Sequence, residues 1–300
     1  MFGKTFKNLT TSSLYFTPQM NFGANLKQLK IRMKAIGSIK KITKAMKMVA
    51  AAKMKSEVSR LEKGRNFALG SVSRVLENEP YVQKKKSTTT PKTTLLVPFT
   101  SDRGLCGSIN SSVVRDIKRT VPLNRSSYGI FSIGEKGTIG LTRPFPDLLL
   151  QAITGIAIPI NFPTAASIAH QIVNQSTSFD NIILIFNRFK NVISQQIIHQ
   201  EVLNRAAFFN QFKYVTKHEA AEPDLEYSKN YFYELYVASS VYNALLNSSA
   251  SEQASRMNAM ENASKNAGEI LNNLTLQYNR ARQTKITMEL IEIISGASAL

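Results

Sequence analysis

Three regimes of hydrophobic spacing divide this chain of 300 residues. Between residues 22 and 79 there is no proline, and Leu26, Leu29, Met33 and Ile36 fall at steps of three, four and three. That spacing is the seam of a coiled-coil helix. Ile39, Ile42, Met46 and Val49 continue the stripe after a local change of phase, which predicts a stutter in the coiled coil. Pro80 ends the helix, and the polar run KKKSTTTPKTT (84–94) reads as a linker.

The middle third alternates between two periodicities. Residues 93–101 form a strand, followed by a glycine-bearing turn and a helix over 108–120. A second strand covers 128–134, a third 151–157, and a helix runs from 164 to 174, opened by Pro163. NIILIFNRF (181–189) is the clearest strand, and 192–203 pairs with it as a hairpin. Strands alternating with helices predict a small α/β domain with a largely parallel sheet.

No proline follows Pro223, which permits one helix of about 70 residues, on the order of 100 Å long at 1.5 Å per residue. Residues 247–269 contain no Leu, Ile, Val or Phe, only a stripe of Ala, Ser, Asn and Met. A helix so polar is not expected in an ordinary core. Its small residues would admit a second helix closely. The two terminal helices are therefore expected to pair as an antiparallel coiled coil around the inserted α/β domain. The predicted boundaries are a leader over 1–21, a coiled-coil helix over 22–80 and a linker over 81–92. The α/β domain follows over 93–210, a connector over 211–227 and the C-terminal helix over 228–300.

Charge sharpens this picture. The net charge is +18, and residues 1–56 carry twelve Lys/Arg and no Asp/Glu, while 228–300 carry six of each sign. The field belongs to one end, which points to an acidic partner: nucleic acid, anionic lipid or an acidic protein surface. In KKITKAMKMVAAAKMK (40–55), Lys40, Lys44, Lys47 and Lys55 flank the Ile42–Met46–Val49 stripe. A solvated face, phosphate contact, membrane-surface binding and contact with acidic loops all fit that pattern.

The first twenty residues hold Lys4, Lys7, six Ser/Thr and no acid, resembling an organelle transit peptide, with cleavage expected near Met20–Ala24. The uncharged stretch 148–179 is broken by Pro159, Asn161 and Pro163, so no transmembrane helix is expected. Cys106 is the single cysteine, and His170, His199 and His218 lack metal-ligand spacing. The turn SDRGLCGSIN (101–110) sits where a phosphate loop would, but GxxxxGK[ST] and GxGxxG are both missing. A tight strand-to-helix turn is favoured, with Asp102 and Arg103 free to pair and Cys106 a small buried thiol. Nothing in the spacing supports an enzyme.

Three segments together resemble the gamma subunits of F-type ATP synthases: KQLKIRMKAIGSIKKITKAMKMVAAAKM (27–54), SDRGLCGSIN, and residues 251–300 nearly throughout. The resemblance implies a rotary shaft without catalytic site or cofactor, its coiled coil inside an alpha3–beta3 hexamer and its Rossmann-like domain near the membrane c-ring. It implies delta and epsilon subunits as further partners and no nucleic acid. It implies that Lys41, Lys44, Met46 and Lys47, with Arg282, Gln283 and Thr287, face the beta-subunit loops that transmit torque. Ile286, Leu290, Ile293, Ile294 and Leu300 would sit in an apolar bearing at the top of the hexamer. One cysteine leaves no room for the dithiol loop of plastid gamma subunits. With the Ser/Thr-rich leader, this favours a mitochondrial protein, peripheral on the matrix side of the inner membrane, over a plastid one, and the extra N-terminal 20-odd residues disfavour the bacterial alternative. A nucleic-acid-binding coiled coil is the rival class, and an NTPase using the 101–110 turn a third.

Overall fold

The computed structural model describes residues 22–70, 93–121, 127–209 and 225–298. The predicted leader, the linker over 81–92, most of the connector and Leu300 lie outside the described residues. In chain order the elements are α1 (Phe22–Gly70), β1 (Thr94–Pro98), α2 (Ile109–Thr120), β2 (Tyr128–Ile133) and α3 (Glu135–Thr142). β3 (Leu149–Ile153), α4 (Phe162–Gln175), β4 (Asn181–Phe189), β5 (Gln195–Val202) and α5 (Leu225–Ser298) follow. They form two compact units, one of residues 41–264 and one of the described residues among 1–40 and 265–300.

In the larger unit a five-stranded sheet has the order β3-β2-β1-β4-β5. β1 pairs in parallel with β2 and β4, β2 in parallel with β3, and β5 closes an antiparallel hairpin on β4. Alternate strand residues serve opposite faces. Leu96, Ile130 and Ile185 meet Val113 and Ile117 of α2 and Leu141 of α3. Leu95, Val97, Phe131 and Leu184 meet Ile168 and Ile172 of α4 together with Tyr233, Val237 and Val241 of α5. The predicted α/β domain thus contains an element the sequence assigns elsewhere: the first half of the long C-terminal helix covers one face of the sheet.

That packing corrects the expectation for the polar stretch of α5. Asn247, Ser249, Ser251 and Gln253 are all buried, beside Ala250 and Ala254. The polar groups named next bond outward to neighbouring elements. The Ser251 hydroxyl donates to the Asn187 carbonyl at 2.9 Å, Asn247 Oδ1 accepts from the Phe189 amide at 3.4 Å, and Ser249 donates to Glu57 Oε2 at 3.0 Å. A buried hydroxyl costs little once its partner is supplied, and these partners come from a strand and a second helix.

The seam of α1 also differs from its predicted course. Leu26, Leu29, Met33 and Ile36 do face inward, but Thr43, Lys47, Ala50, Met54, Glu57, Leu61, Gly64 and Ala68 continue the same steps of three and four. No stutter occurs. Ile39, Ile42, Met46 and Val49 instead lie on an outer flank, 46, 57, 40 and 56 % exposed. The reason is fit. Opposite the α1 seam, α5 presents alanines, serines and glycine, and a Cβ on Gly64 would lie 2.7 Å from Leu246 Cδ1. Only small or flexible side chains tolerate that approach, so Thr43 and Ala50 occupy the seam where larger apolar residues lie one step away. Within the larger unit, Lys47 meets Glu261, Glu57 meets Ser249 and Leu61 meets Leu246, which makes the pair antiparallel. In the smaller unit α5 keeps its own heptad through Ala267, Leu271, Leu274, Tyr278, Ala281 and Lys285.

Sequence reading missed α3, because EKGTIGLT is short and carries two glycines, a weak helix signal. Both glycines are there for close approach. A Cβ on Gly137 would lie 2.4 Å from Thr100 Oγ1, and one on Gly140 would lie 2.9 Å from Val114.

Ser249→Ala should destabilise the chain by about 1–3 kcal/mol, because it leaves a buried Glu57 oxygen without its donor. Ile42→Ala should cost no more than about 0.5 kcal/mol, as an exposed position does. Chemical denaturation of both variants measures this. A larger loss at Ile42 would restore the stuttered seam.

Candidate functional site

Surface features that could carry function fall in both units. In the larger unit, Lys41, Lys44 and Met46 are exposed on α1. Lys47 is not a free cation on that surface: its Nζ lies 3.1 Å from Glu261 Oε1. Beside them opens a cavity of about 1000 Å³, bounded by α1, the ends of the parallel strands, the 101–110 turn and α5. Ile42, Met46 and Val49 line it, so the flank that the sequence places in the seam forms a cavity wall instead.

The 101–110 turn is built for closure. The Ser101 amide donates to Asn110 Oδ1 at 3.1 Å, and Asn110 Nδ2 donates back to Ser101 Oγ at 2.7 Å. Leu105 and Gly107 take left-handed conformations with φ of 63° and 65°. At Gly107 a Cβ would also lie 3.3 Å from Ser255 Oγ, so a side chain there meets both strain and crowding. Straps from α5 hold the turn down: Ser255 Oγ donates to the Cys106 carbonyl at 2.6 Å, and Arg256 donates to the carbonyls of Arg103 and Gly104 at 3.4 Å. Cys106 is buried, as expected of a small structural thiol. Asp102 does not pair with Arg103. Its carboxylate accepts from the amides of Glu135 at 2.9 Å and Ile156 at 3.1 Å, tying the start of α3 to the loop after β3. A carboxylate that satisfies two backbone amides gains more than it would from an exposed ion pair, which is the physical reason for this correction.

Glu252 is the titratable group the sequence gives no reason to single out. It lines the cavity, and burial pushes its carboxyl above the ordinary value of 4.5, against the pull of Arg256 at 2.5 Å. Only the three-dimensional meeting of α5 with the turn reveals it.

In the smaller unit, Arg282, Gln283 and Thr287 are exposed on α5, and the Thr287 hydroxyl donates to the Gln283 carbonyl at 3.0 Å. Every described residue from 286 to 298 is exposed, including Ile286, Leu290, Ile293 and Ile294 at 53–71 %. So many uncovered apolar side chains on one helix mark a surface that a partner covers, while Glu289 and Glu292 keep another side charged.

The ATP synthase family model matches residues 25–300. An "ATP synthase gamma chain" from Pelagibacter ubique is 35 % identical over 290 residues, covering 92 % of this chain and all of that one. The chain belongs to the ATP synthase gamma subunit family. As a member it is a rotor subunit of the central stalk and not a catalytic one. The mitochondrial gamma subunit of Drosophila melanogaster is 35 % identical over 278 residues, covering 92 % of this chain and 91 % of that one. Among solved structures, a chain of the Tetrahymena thermophila mitochondrial ATP synthase central stalk and c-ring shares 70 % identity. It matches with a TM-score of 0.69 over 74 % of this chain and 99 % of that one. A chain of the Euglena gracilis mitochondrial enzyme, 22 % identical with a TM-score of 0.72 over 92 % and 95 % of the two chains, shows the same fold. No described helix is long and apolar enough to cross a membrane.

The raised Glu252 carboxyl gives the gamma-family chain a signed pH response. Between the ordinary glutamate value and the raised one, the folded chain holds more proton than the unfolded one, so Glu252 makes stability fall as pH rises through that window. Glu252→Gln should flatten this part of the profile. Melting temperatures of the two chains at successive pH values between about 4.5 and 7 measure the difference. Parallel profiles would remove Glu252 from the account.

Proposed function

We propose that this gamma-family chain is the shaft of a mitochondrial proton-driven ATP synthase, peripheral on the matrix side of the inner membrane. It turns with the c-ring inside the alpha3–beta3 hexamer and carries delta and epsilon subunits at its foot. The observation that carries the proposal is the terminal stretch of α5, wholly exposed from residue 286 to 298 with Ile286, Leu290, Ile291, Ile293 and Ile294 uncovered beside a side that bears Glu289 and Glu292. In water such a surface is a liability. Within an apolar bearing, Ile286, Leu290, Ile293, Ile294 and Leu300 centre the shaft without binding any one orientation, because dispersion contacts carry no preferred direction.

Torque needs the opposite kind of contact, one that forms in some rotary positions and breaks in others, since only differential interaction shifts an equilibrium between states. Charged and polar groups at the shaft surface supply it. Arg282 offers a planar fork of donors to a carboxylate, and Gln283, about 100° round the helix, offers both donor and acceptor. Thr287 spends its hydroxyl proton inside its own helix and contributes its methyl and a lone pair. Lys41 and Lys44 present solvated ammonium groups and Met46 a flexible thioether. Lys47 reaches a beta-subunit loop only by exchanging its partner Glu261 for another carboxylate.

The double variant Arg282→Ala/Gln283→Ala should assemble normally and lower turnover in both ATP synthesis and hydrolysis, by about tenfold for one lost charge-assisted bond of 1.5–3 kcal/mol. Lys44→Ala, exposed and screened, should cost less than about twofold. Proton-driven synthesis and ATP hydrolysis by the assembled variants test both statements. Wild-type rates in the double variant would take Arg282 and Gln283 out of the torque path.

A further inference from the structure

We propose that the 1000 Å³ cavity of the larger unit binds a small amphipathic anion, a long aliphatic chain ending in a carboxylate. The rotor reading does not require this site, and the site does not require the rotor reading.

Three observations select a small molecule of that chemistry. The first is position. The cavity opens at the carboxyl ends of the parallel strands, where Phe99 and Thr100 leave β1 and Asn187 lies near the end of β4. The chain order reverses at β1: β2 and β3 lie to one side and β4 to the other. Crevices at such switch points are where open α/β sheets take their ligands. The volume sits at the top of the range of roughly 300–1,000 Å³ for small-ligand sites. An extended groove would suit a peptide better.

The second observation is the apolar wall. Phe99 and Ile133 at its floor are buried in the sheet core, while Ile42, Met46 and Val49 of α1 close it from outside. These three are large apolar residues held off the helix seam, and the cavity is what they face. An aliphatic chain covering them removes apolar surface from water at no polar cost.

The third is the charge of the rim. Five charged side chains line the cavity: Asp102, Glu252, Lys53, Arg103 and Arg256. Both Asp102 oxygens accept from backbone amides, and Glu252 is held by Arg256. The same Arg256 Nη2 that holds Glu252 also donates to the turn carbonyls. The Lys53 ammonium and the Arg103 guanidinium make no ion pair with a described acid, and both residues are exposed at the rim. Both carboxylates thus have partners, Glu252 drawing weakly on Arg103 as well as on Arg256, and Lys53 is the rim cation they leave available. That polarity admits a carboxylate head and disfavours an amine.

The test uses the intact ATP synthase and a photoactivatable hexadecanoic acid carrying a diazirine on its chain, with adducts mapped by mass spectrometry. We expect saturable labelling of peptides containing Val49 and residues 155–160. Unlabelled hexadecanoate should compete at least roughly tenfold better than hexadecanol, the gain expected of a charge-assisted pair. Val49→Trp, which fills the cavity from its exposed wall, should abolish the labelling. Lys53→Gln/Arg103→Gln, both at exposed positions, should lower it about tenfold and decides the matter if the tryptophan variant does not assemble. Four results would overturn the proposal: labelling that does not saturate, equal competition by acid and alcohol, labelling unchanged in the double variant, or displacement by an acidic peptide and not by hexadecanoate. The last would make the cavity a protein-docking groove.

Discussion

Close approach of two antiparallel helices is the constraint on which the rest of the molecule depends. Where Gly64 faces Leu246 a single extra carbon would force the leucine tip to shift, and Ser249 reaches Glu57 across the same interface. Such a seam admits a large side chain only where the facing position leaves room, as at Leu61 beside Leu246. That single requirement explains why α5 is written in alanine, serine and asparagine through its middle. It also explains why Ile42, Met46 and Val49 are displaced to the flank, and why a cavity exists beside them. A polar-seamed pair suits a shaft: hydrogen bonds and short contacts hold its two helices together.

The α/β domain is anchored by the same helix. Tyr233, Val237 and Val241 of α5 complete the sheet core, while Ser251 and Asn247 grip the end of β4. Ser255 and Arg256, a turn further on, strap down the 101–110 turn. One continuous helix therefore contributes a wall to the domain, a seam to the coiled coil and, at its far end, an exposed apolar tip.

Much of this was legible in the sequence, for identifiable reasons. The strand NIILIFNRF was found to the residue because a continuous apolar run bounded by polar residues has few alternatives, and Pro163 marked the start of α4 because its ring suits a first helical turn. The seam of α1 beyond residue 36 was not legible. A hydrophobic stripe weighs residue size, whereas the helix chose its face by fit against a partner some 200 residues away. For the same reason the polar run of α5 looked unfit for a core: its hydrogen-bond partners, Asn187, Phe189 and Glu57, are invisible to local patterning. Glu252 stayed hidden because burial, which raises its pKa, is a property of the assembled turn and helix.

The central claim is that, within the larger unit, α1 and α5 are held against each other without relative motion. Lys47 and Glu261, whose charged ends lie 3.1 Å apart across the larger unit, offer the place to test it. With Lys47→Cys and Glu261→Cys in the assembled synthase, a short thiol cross-linker would fix one helix to the other. ATP hydrolysis and rotation of a bead on the c-ring would be compared before and after cross-linking in the same preparation. The account predicts unchanged torque and turnover, because the two helices have no relative motion to lose. If cross-linking stops rotation and cleavage of the linker restores it, the helices slide during the cycle and the rigid-shaft account is wrong.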